Sequence, residues 1–200
     1  MNPQENAPAT GRQLSDVLSS VRSSYSKPLP GYEGQIMSRY QVGVCMDEVY
    51  PSIYIGDLGA AKNRDYLKHV GITHVLNTAQ GDKMATVNTN ADFYKSYGIK
   101  YLGLELLDFP SANIAKYFEE SANFIDEALK NGGKVLVHCF MGISRSATIS
   151  TAFLMIKRGM TAKEALIQIK QNRNVFPNEG FLRQLADLDN TLAKQRSHKA

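Results

Sequence analysis

Cys139 and Arg145 are the residues whose types and spacing are best suited to catalysis. They lie in the segment KVLVHCFMGISRSAT, residues 134–148, with five residues between them. A thiolate is a nucleophile, and the planar guanidinium of arginine matches the geometry of phosphate oxygens. Gly142 can adopt a positive φ angle in the turn between them, and the serines that follow can donate or accept hydrogen bonds. The spacing therefore predicts a loop that makes a nucleophile and holds the phosphate it attacks.

A strand before the loop and a helix after it would position these groups. KVLVHC is short, apolar and without alternation, which is typical of a strand covered on both faces. An amphipathic helix is expected from Ser146 to Arg158, with Gly159 after it. The free N–H groups and the dipole at its first turn favour an anion. The same donors would lower the pKa of Cys139 below the value of about 8.5 of a free thiol.

Each of these residues also has a structural explanation. A single cysteine at a strand end is usually a packing residue, and a single histidine such as His138 is usually a satisfied core residue. Here the histidine, the cysteine, the glycine-containing turn, the arginine and the helix start occur together. This combination favours the phosphate-binding thiolate over packing alone.

The rest of the chain alternates predicted strands and helices. EVYPSIYIGD indicates one strand interrupted by Pro51, and ITHVLNTA and KYLGLEL indicate two more. AAKNRDYLKHVG, ADFYKSYG and ANIAKYFEESANFIDEALKNGG carry helical spacing, and TAKEALIQIKQN and EGFLRQLADLDNTLAKQ add two helices near the C-terminus. This order predicts an α/β fold: a single-domain, three-layer sandwich whose central, mostly parallel sheet of about five strands is flanked by helices.

Composition narrows the functional classes. The 200 residues carry a net charge of +4, the basic residues are scattered, and 43% of residues are hydrophobic. We therefore expect one soluble, intracellular domain that binds neither nucleic acid nor membrane. The predicted location is the cytoplasm and also the nucleus. The two cysteines, Cys45 and Cys139, form no CxxC pair, so no metal or other cofactor is expected. Cys45 is interpreted as a small apolar packing residue before the first strand.

VHCFMGISRSAT closely resembles the HCxxGxxRS signature of cysteine-dependent protein tyrosine phosphatases, and the SRSAT continuation is typical of the dual-specificity branch. ITHVLNTAQG, DFPSANIAKYFEESANFIDEAL and QNRNVFPNEGFLRQLADLDNTL also resemble segments of the small atypical, VHR-like enzymes. The resemblance implies a protein tyrosine phosphatase-like fold and a catalytic domain over residues 40–194. The remaining chain is predicted to form a disordered tail (1–12), an N-terminal helix with its connector (13–39), and a C-terminal tail (195–200).

The resemblance implies a role for each residue of the loop. Cys139 is the expected nucleophile that forms a phosphocysteine, and Arg145 clamps the phosphoryl oxygens. Ser146 resembles the serine that helps the thiolate leave, and His138 resembles the histidine that orders the loop and is not a base. The predicted phosphate- and substrate-binding set is His138, Phe140, Met141, Gly142, Ile143, Ser144 and Arg173.

Asp108 is the expected general acid and base. It follows the strand YLGLEL and precedes a turn that contains proline, where a loop could carry it over the pocket. An aspartate at this position could also simply cap the turn. Glu105 and Asp82 are competing carboxylates, but Glu105 falls within the predicted strand and Asp82 within a different loop. The resemblance also places Asp108 at the family's acid position.

Substrate preference is less well defined by the sequence. The resemblance implies that Arg173 receives a second phosphate near the pocket; the alternative is a solvated cation at a helix end. Phe140 and Met141 are apolar where the best-known relative has a charged pair, and Ile143 replaces an aromatic residue. Preference between phosphotyrosine and phosphothreonine therefore stays open.

The leading hypothesis is a dual-specificity phosphatase acting on phosphorylated proteins, with mitogen-activated protein kinases as the substrates expected of the family. Alternatives are a phosphatase for a phosphoinositide or an RNA phosphate, and a phosphate-binding module with weak activity. A rhodanese-like sulfur transferase would not need Asp108. The protein is expected to be a monomer or a weak homodimer.

Overall fold

A computed structural model describes residues 8–24, 28–32 and 43–197. Most of the predicted N-terminal tail, most of the connector before the catalytic domain and the last three residues lie outside this range. The domain boundaries at residues 39 and 40 therefore stay predictions. Within the described residues, no helix is both long enough and apolar enough to span a membrane.

In the described residues, five strands form one sheet, which confirms the predicted fold class. They lie in the order β1-β2-β5-β3-β4, and only β1 is antiparallel to its neighbour. Registered pairs align the last residues of the four parallel strands, so their carboxyl ends share one edge. The strands are β1 (Met46–Tyr50), β2 (Ile53–Gly56), β3 (His74–Asn77), β4 (Lys100–Gly103) and β5 (Val135–His138).

The segment EVYPSIYIGD is not one interrupted strand but a hairpin of β1 and β2. Tyr50 pairs with Ile53 across a two-residue connection, and Ser52 within it has a φ angle of 63°. The Ser52 N–H donates to the Glu48 carboxylate at 2.9 Å. Because Pro51 lacks an N–H and Ser52 is left-handed, the chain reverses here instead of continuing.

The helices differ from the predictions mainly at their ends. The segment AAKNRDYLKHVG forms two helices, because the Asn63 side chain accepts a hydrogen bond from the Tyr66 N–H and starts a second one. Thr10 and Gln13 form a capping box, so the first helix begins at Gly11, inside the predicted tail. The helices are α1 (Gly11–Ser20), α2 (Leu58–Lys62), α3 (Arg64–Val70), α4 (Ala91–Lys95), α5 (Phe118–Lys130, after a 3₁₀ turn at Ala115–Tyr117), α6 (Arg145–Arg158), α7 (Ala162–Asn172) and α8 (Glu179–Ser197).

Two further boundaries are corrected. Helix α8 continues to Ser197, so the tail predicted from residue 195 starts later. Helix α6 begins at Arg145 and is not amphipathic, because every residue from Arg145 to Met155 is buried. A helix surrounded by protein on all sides needs no polar face.

The sheet separates two hydrophobic clusters, as a three-layer sandwich requires. Val135 and Val137 of β5 pack with residues of α5–α8, while Leu136 packs with residues of α2–α4. Adjacent residues of a strand point to opposite faces, so β5 is covered on both sides. Leu14 and Leu18 bury one side of α1 against this body, mainly along α7 and α8. Strand β5 is therefore fixed in the centre of the fold, and the chain leaves it at the shared carboxyl edge.

Candidate active site

The loop from Cys139 to Ser144, here called the phosphate loop, joins β5 to α6. Neighbouring segments hold its backbone at several points. Thr78 donates from both its N–H and its hydroxyl to the His138 carbonyl, each at 2.8 Å. Leu58 N–H donates to the Phe140 carbonyl at 3.0 Å, and Phe176 N–H donates to the Ile143 carbonyl at 2.9 Å. Hydrogen bonds from three separate segments therefore fix the shape of the loop.

Gly142 cannot be replaced without disturbing this shape. Its φ angle is 68°, and a Cβ atom at this position would lie 2.5 Å from the Gly56 carbonyl oxygen. Both the left-handed backbone and the close approach of β2 thus require glycine. The predicted role of Gly142 in the turn agrees with this geometry.

Cys139 lies buried under the loop with its sulfur facing hydrogen-bond donors. The Gly142 N–H is 3.2 Å from Sγ, and the Ser146 hydroxyl is 3.5 Å away. Burial acts to raise the pKa of Cys139, but the charge of Arg145 and the donors of Ser146 and Ile143 outweigh it, and the pKa is lowered. The arrangement favours a thiolate, as the sequence predicted.

Arg145 is buried at the start of α6, with part of its guanidinium held by the protein. One terminal nitrogen donates to the Leu106 carbonyl at 3.1 Å and the other to the Ala85 carbonyl at 2.9 Å. Its Nε lies 3.4 Å from Oδ2 of Asp108, but the geometry does not make this close charge contact a hydrogen bond. A buried N–H that has no acceptor within the protein is a donor available for an anion.

Asp108 lies beside the phosphate loop and is held by two donors. Its Oδ1 accepts from the Ser144 hydroxyl and from the Asn178 side-chain amide, each at 2.8 Å. The Asp108 side chain is 29% exposed, whereas the competing residues Glu105 and Asp82 are exposed and do not share these contacts. The structure thus brings Asp108 to Arg145 and the phosphate loop, and its role as general acid and base stays a prediction.

The segment between β4 and Asp108 differs from its predicted structure, because the strand is shorter than expected. Strand β4 ends at Gly103, before the predicted LEL, and the Leu106 carbonyl turns to Arg145 instead of a strand partner. Glu105 therefore lies after the strand. Sequence reasoning also missed Asn178, whose backbone N–H donates to the Ser144 hydroxyl at 3.2 Å. Its place in QNRNVFPNEG, within the resemblance, was the only signal.

His138 is fully buried at the end of β5, and its Nδ1 lies 3.2 Å from the Cys139 carbonyl oxygen. Burial, together with the charge of Arg145, lowers the pKa of His138 to about 4. The ring is therefore neutral near pH 7, and Nδ1–H can donate to the loop. This contact is what the predicted ordering role needs.

The position of Arg173 contradicts the prediction that this residue receives a second phosphate of the substrate. It is buried behind the phosphate loop, where its Nε donates to the Gly142 carbonyl at 2.8 Å and a terminal nitrogen donates to the Met141 carbonyl at 3.2 Å. Its other terminal nitrogen donates to Asp47 at 2.9 Å. Burial acts to lower the pKa of Arg173, but Cys45 and Asp47 outweigh it, and the pKa is raised. Because Nε and both terminal nitrogens already donate to protein groups, the guanidinium supports the loop and does not face a substrate.

Two residues on this side of the loop have roles that the sequence did not indicate. Asp47 is buried and pairs with Arg173, and the sulfur of Cys45 lies 3.5 Å from the same guanidinium. Cys45 is therefore more than an apolar filler. No spacing rule links residues 126 or more positions apart, so only the folded chain could show this cluster.

The remaining predicted residues form the outer surface of the loop. Phe140 and Met141 expose their side chains, and Ile143 is half-buried. The backbone of the phosphate loop supplies donors to the Cys139 sulfur, and the Phe140 and Met141 side chains are exposed. They are therefore candidates for contacts to a substrate beyond its phosphate.

A buried thiolate, a fixed arginine and a nearby carboxyl at the carboxyl edge of a parallel sheet are the equipment of a cysteine-dependent phosphatase. Comparison with known proteins agrees. Residues 53–191 match the family described as dual specificity phosphatase, catalytic domain. The chain belongs to this family.

Solved structures of related proteins share the fold. DUSP15 is 34% identical, with 78% of this chain and 96% of that chain covered and a TM-score of 0.62. The human tyrosine phosphatase-like serine/threonine/tyrosine-interacting protein is 31% identical, with 78% and 98% covered and a TM-score of 0.63. Human DUSP28 is 28% identical, with 74% and 95% covered and a TM-score of 0.64.

Proposed function

We propose that this protein is a dual-specificity phosphatase that hydrolyses phosphotyrosine and phosphoserine or phosphothreonine in proteins. The observation that carries the proposal is the convergence of three groups: the Cys139 sulfur with its lowered pKa, the unpaired Nε of Arg145, and the Asp108 carboxyl 3.4 Å from that Nε. A site that only binds phosphate needs neither the nucleophile nor the carboxyl.

In the first step, the Cys139 thiolate attacks phosphorus and the bond from phosphorus to the substrate oxygen breaks. Arg145 Nε and the N–H groups of the phosphate loop bind the phosphoryl oxygens, whose charge is redistributed in the transition state. Protonated Asp108 donates its proton to the leaving oxygen, so the product is the free hydroxyl of the substrate. The enzyme is left as a phosphocysteine.

In the second step, water attacks the phosphocysteine and the phosphorus–sulfur bond breaks. Asp108, now ionised, accepts a proton from this water. The Ser146 hydroxyl, 3.5 Å from Sγ, donates to the sulfur as negative charge returns to it. His138 takes no proton in either step, because burial lowers the pKa of its ring to about 4 and so disfavours its protonation near pH 7.

Phosphorylated proteins are the proposed substrates, and mitogen-activated protein kinases stay a prediction from the family. The cytoplasmic and nuclear location and the monomeric or weakly dimeric state are likewise predictions. The apolar side chains of Phe140 and Met141 favour a protein over a phosphoinositide or an RNA, whose additional charges would suit a more basic loop.

The test compares aryl phosphate hydrolysis by wild type, Cys139→Ser and Asp108→Asn, with Asp82→Asn as the control because Asp82 is an exposed aspartate in another loop. We expect no turnover by Cys139→Ser and a loss of roughly 100-fold or more in kcat for Asp108→Asn. Asp82→Asn should match wild type. Wild-type turnover by Cys139→Ser would contradict the mechanism; wild-type turnover by Asp108→Asn would contradict only the acid assignment.

A further inference from the structure

The exposed large hydrophobic side chains of the described residues are concentrated at the active site. There are six of them, and each lies in the phosphate loop or in a segment that touches the site. Such side chains scattered singly over a surface need no explanation, but a cluster indicates an interaction surface. These six residues form an apolar rim: Met84, Leu107, Phe109, Phe140, Met141 and Phe176.

Backbone contacts tie each part of the rim to the catalytic groups. Met84 is 94% exposed and directly precedes Ala85, whose carbonyl accepts from Arg145. Leu107 and Phe109 flank Asp108. Phe176 donates from its N–H to the phosphate loop, of which Phe140 and Met141 are part. The rim therefore comes from four separate segments that meet around one phosphate site.

The cations in these four segments argue against a substrate that carries a second anionic group beside its reacting phosphate. Within the described segments 82–85, 105–109, 140–145 and 173–179, the cations are Lys83, Arg145 and Arg173. Arg145 serves the catalytic phosphate, and Arg173 is buried and paired with Asp47. Lys83 is exposed beside Asp82 in sequence. Lys170, whose Nζ lies 3.5 Å from the centre of the Phe176 ring, already donates to the Asn174 side chain and the Val175 carbonyl. These segments thus offer apolar area and one phosphate site, without a spare buried arginine.

We propose that the apolar rim binds a singly phosphorylated peptide segment that carries apolar side chains next to the phosphorylated residue. This proposal rests on the proposed function, because the occupant must place a phosphate over Cys139 and apolar groups around it in one binding event. A peptide satisfies both requirements, since its neighbouring side chains lie within a few ångströms of the phosphorylated one. A phosphoinositide in an anionic membrane would need basic residues around the site.

The first test measures kcat/KM for three phosphotyrosine peptides: one flanked by Leu and Phe, one flanked by Asp and Glu, and the Leu/Phe peptide with phosphothreonine two residues away. We expect the singly phosphorylated apolar peptide to exceed the acidic one by about tenfold or more, because several apolar contacts are lost in the latter. The added phosphate should give no increase. A preference for the acidic or the doubly phosphorylated peptide would overturn the proposal.

The second test uses the double variant Met84→Gln/Phe109→Gln. It should lower the preference for the apolar peptide, measured as the ratio of kcat/KM for the apolar peptide to kcat/KM for the acidic peptide, at least fivefold. Lys163→Gln is the matched control, because Lys163 is exposed near the start of α7, at the opposite end of that helix from Arg173. A preference that survives in the double variant would overturn the proposal.

Two further measurements separate this proposal from its alternatives. Binding of the same peptides to Cys139→Ser by calorimetry tests the rim without turnover, so a failure of the proposed catalysis would be seen separately. Sedimentation tests self-association: a dimeric wild type that becomes monomeric in Met84→Gln/Phe109→Gln, with an unchanged peptide preference, would assign the rim to a second copy and overturn the proposal.

Discussion

Two buried arginines flank the phosphate loop from the two sides of β5, and the fold uses them in different ways. Arg145 reaches towards the segments after β3 and β4, where it donates to the Ala85 and Leu106 carbonyls and leaves Nε without a hydrogen bond. Arg173 lies on the side of β1 and β2, where its Nε and both terminal nitrogens donate to protein groups.

The difference shows that burial beside a phosphate loop does not identify a phosphate-binding arginine. What matters is where the donors point. Arg145 is oriented by the protein through its outer nitrogens and keeps a donor for a ligand, whereas Arg173 makes a buried ion pair and braces the backbone of Gly142 and Met141. One arginine binds the substrate in the proposed mechanism, and the other holds the loop that does so.

The comparison is tested most strongly by Arg145→Lys. We expect kcat for aryl phosphate to fall by roughly a thousandfold or more, because an ammonium cannot contact both carbonyls and the transferred phosphoryl group at once. The free energy of unfolding at pH 7 should change much less than the barrier to catalysis, and urea unfolding would measure it. A loss of activity that tracks a loss of folded protein would show instead that Arg145 acts through stability.

Arg173→Met should have a smaller effect on activity and a larger one on stability. It removes the arginine that pairs with the buried Asp47 carboxylate, so the free energy of unfolding should fall by about 3–5 kcal/mol. We expect kcat for aryl phosphate to fall about tenfold, because the loop loses its brace at Gly142 and Met141.

The matched control restores the charge balance behind the loop. In Asp47→Leu/Arg173→Met no buried charge is left unpaired, so stability should recover while kcat stays low. Recovery of both would mean that Arg173 is only structural. If Arg173 instead received a second phosphate, Arg173→Met would raise KM for a doubly phosphorylated peptide alone and leave aryl phosphate turnover intact.

The same contrast explains what the sequence could predict. Cys139, Gly142, Arg145 and Ser146 lie in one short strand–loop–helix segment, so their spacing already carries their geometry. Fold class followed from the alternation of strands and helices for a similar reason, since each apolar pattern is local.

Contacts between distant segments could not be predicted in this way. Arg173 has the same position in the sequence pattern whether it faces solvent or Asp47, and the partner that decides this is 126 residues away. Asn178 and the hairpin at Pro51 were missed because a carboxylate partner and a left-handed serine are visible only in the folded chain. Local chemistry was thus predictable, and the support behind it was not.

His138 is buried at the end of β5, directly before the phosphate loop. Its pKa is lowered by burial to about 4, whereas an unfolded histidine titrates near 6.5. Between these values the unfolded chain binds a proton that the folded chain does not, so stability falls as the pH falls. This contribution should lower the free energy of unfolding by roughly 3 kcal/mol between pH 6.5 and pH 4.

Urea unfolding of wild type and His138→Asn at a series of pH values isolates this contribution. Asn can still donate to the Cys139 carbonyl, so the variant should fold, and its stability should decline less steeply with acid than that of wild type. The control is His69→Asn, which replaces an exposed histidine and should follow the wild-type curve. Parallel curves for wild type and His138→Asn would contradict the assignment of a buried neutral ring.

Ser146→Ala should produce the smallest effect, on the side of the loop that Arg145 occupies. Removing the hydroxyl that lies 3.5 Å from Sγ leaves the thiolate with fewer donors, so the pKa of Cys139 should rise. Since the thiolate is the reactive form, kcat/KM at acidic pH should fall and the acidic limb of the pH profile should move to higher pH. Hydrolysis of the phosphocysteine should also slow, because the departing sulfur loses a donor, and rapid-quench kinetics would then show a burst of product release. The hydrogen bonds of Arg173 go to Gly142, Met141, Asp47 and Cys45 and not to the Cys139 sulfur. An equal displacement of the acidic limb of the pH profile in Arg173→Lys would therefore mean that the two sides of the loop do not act separately.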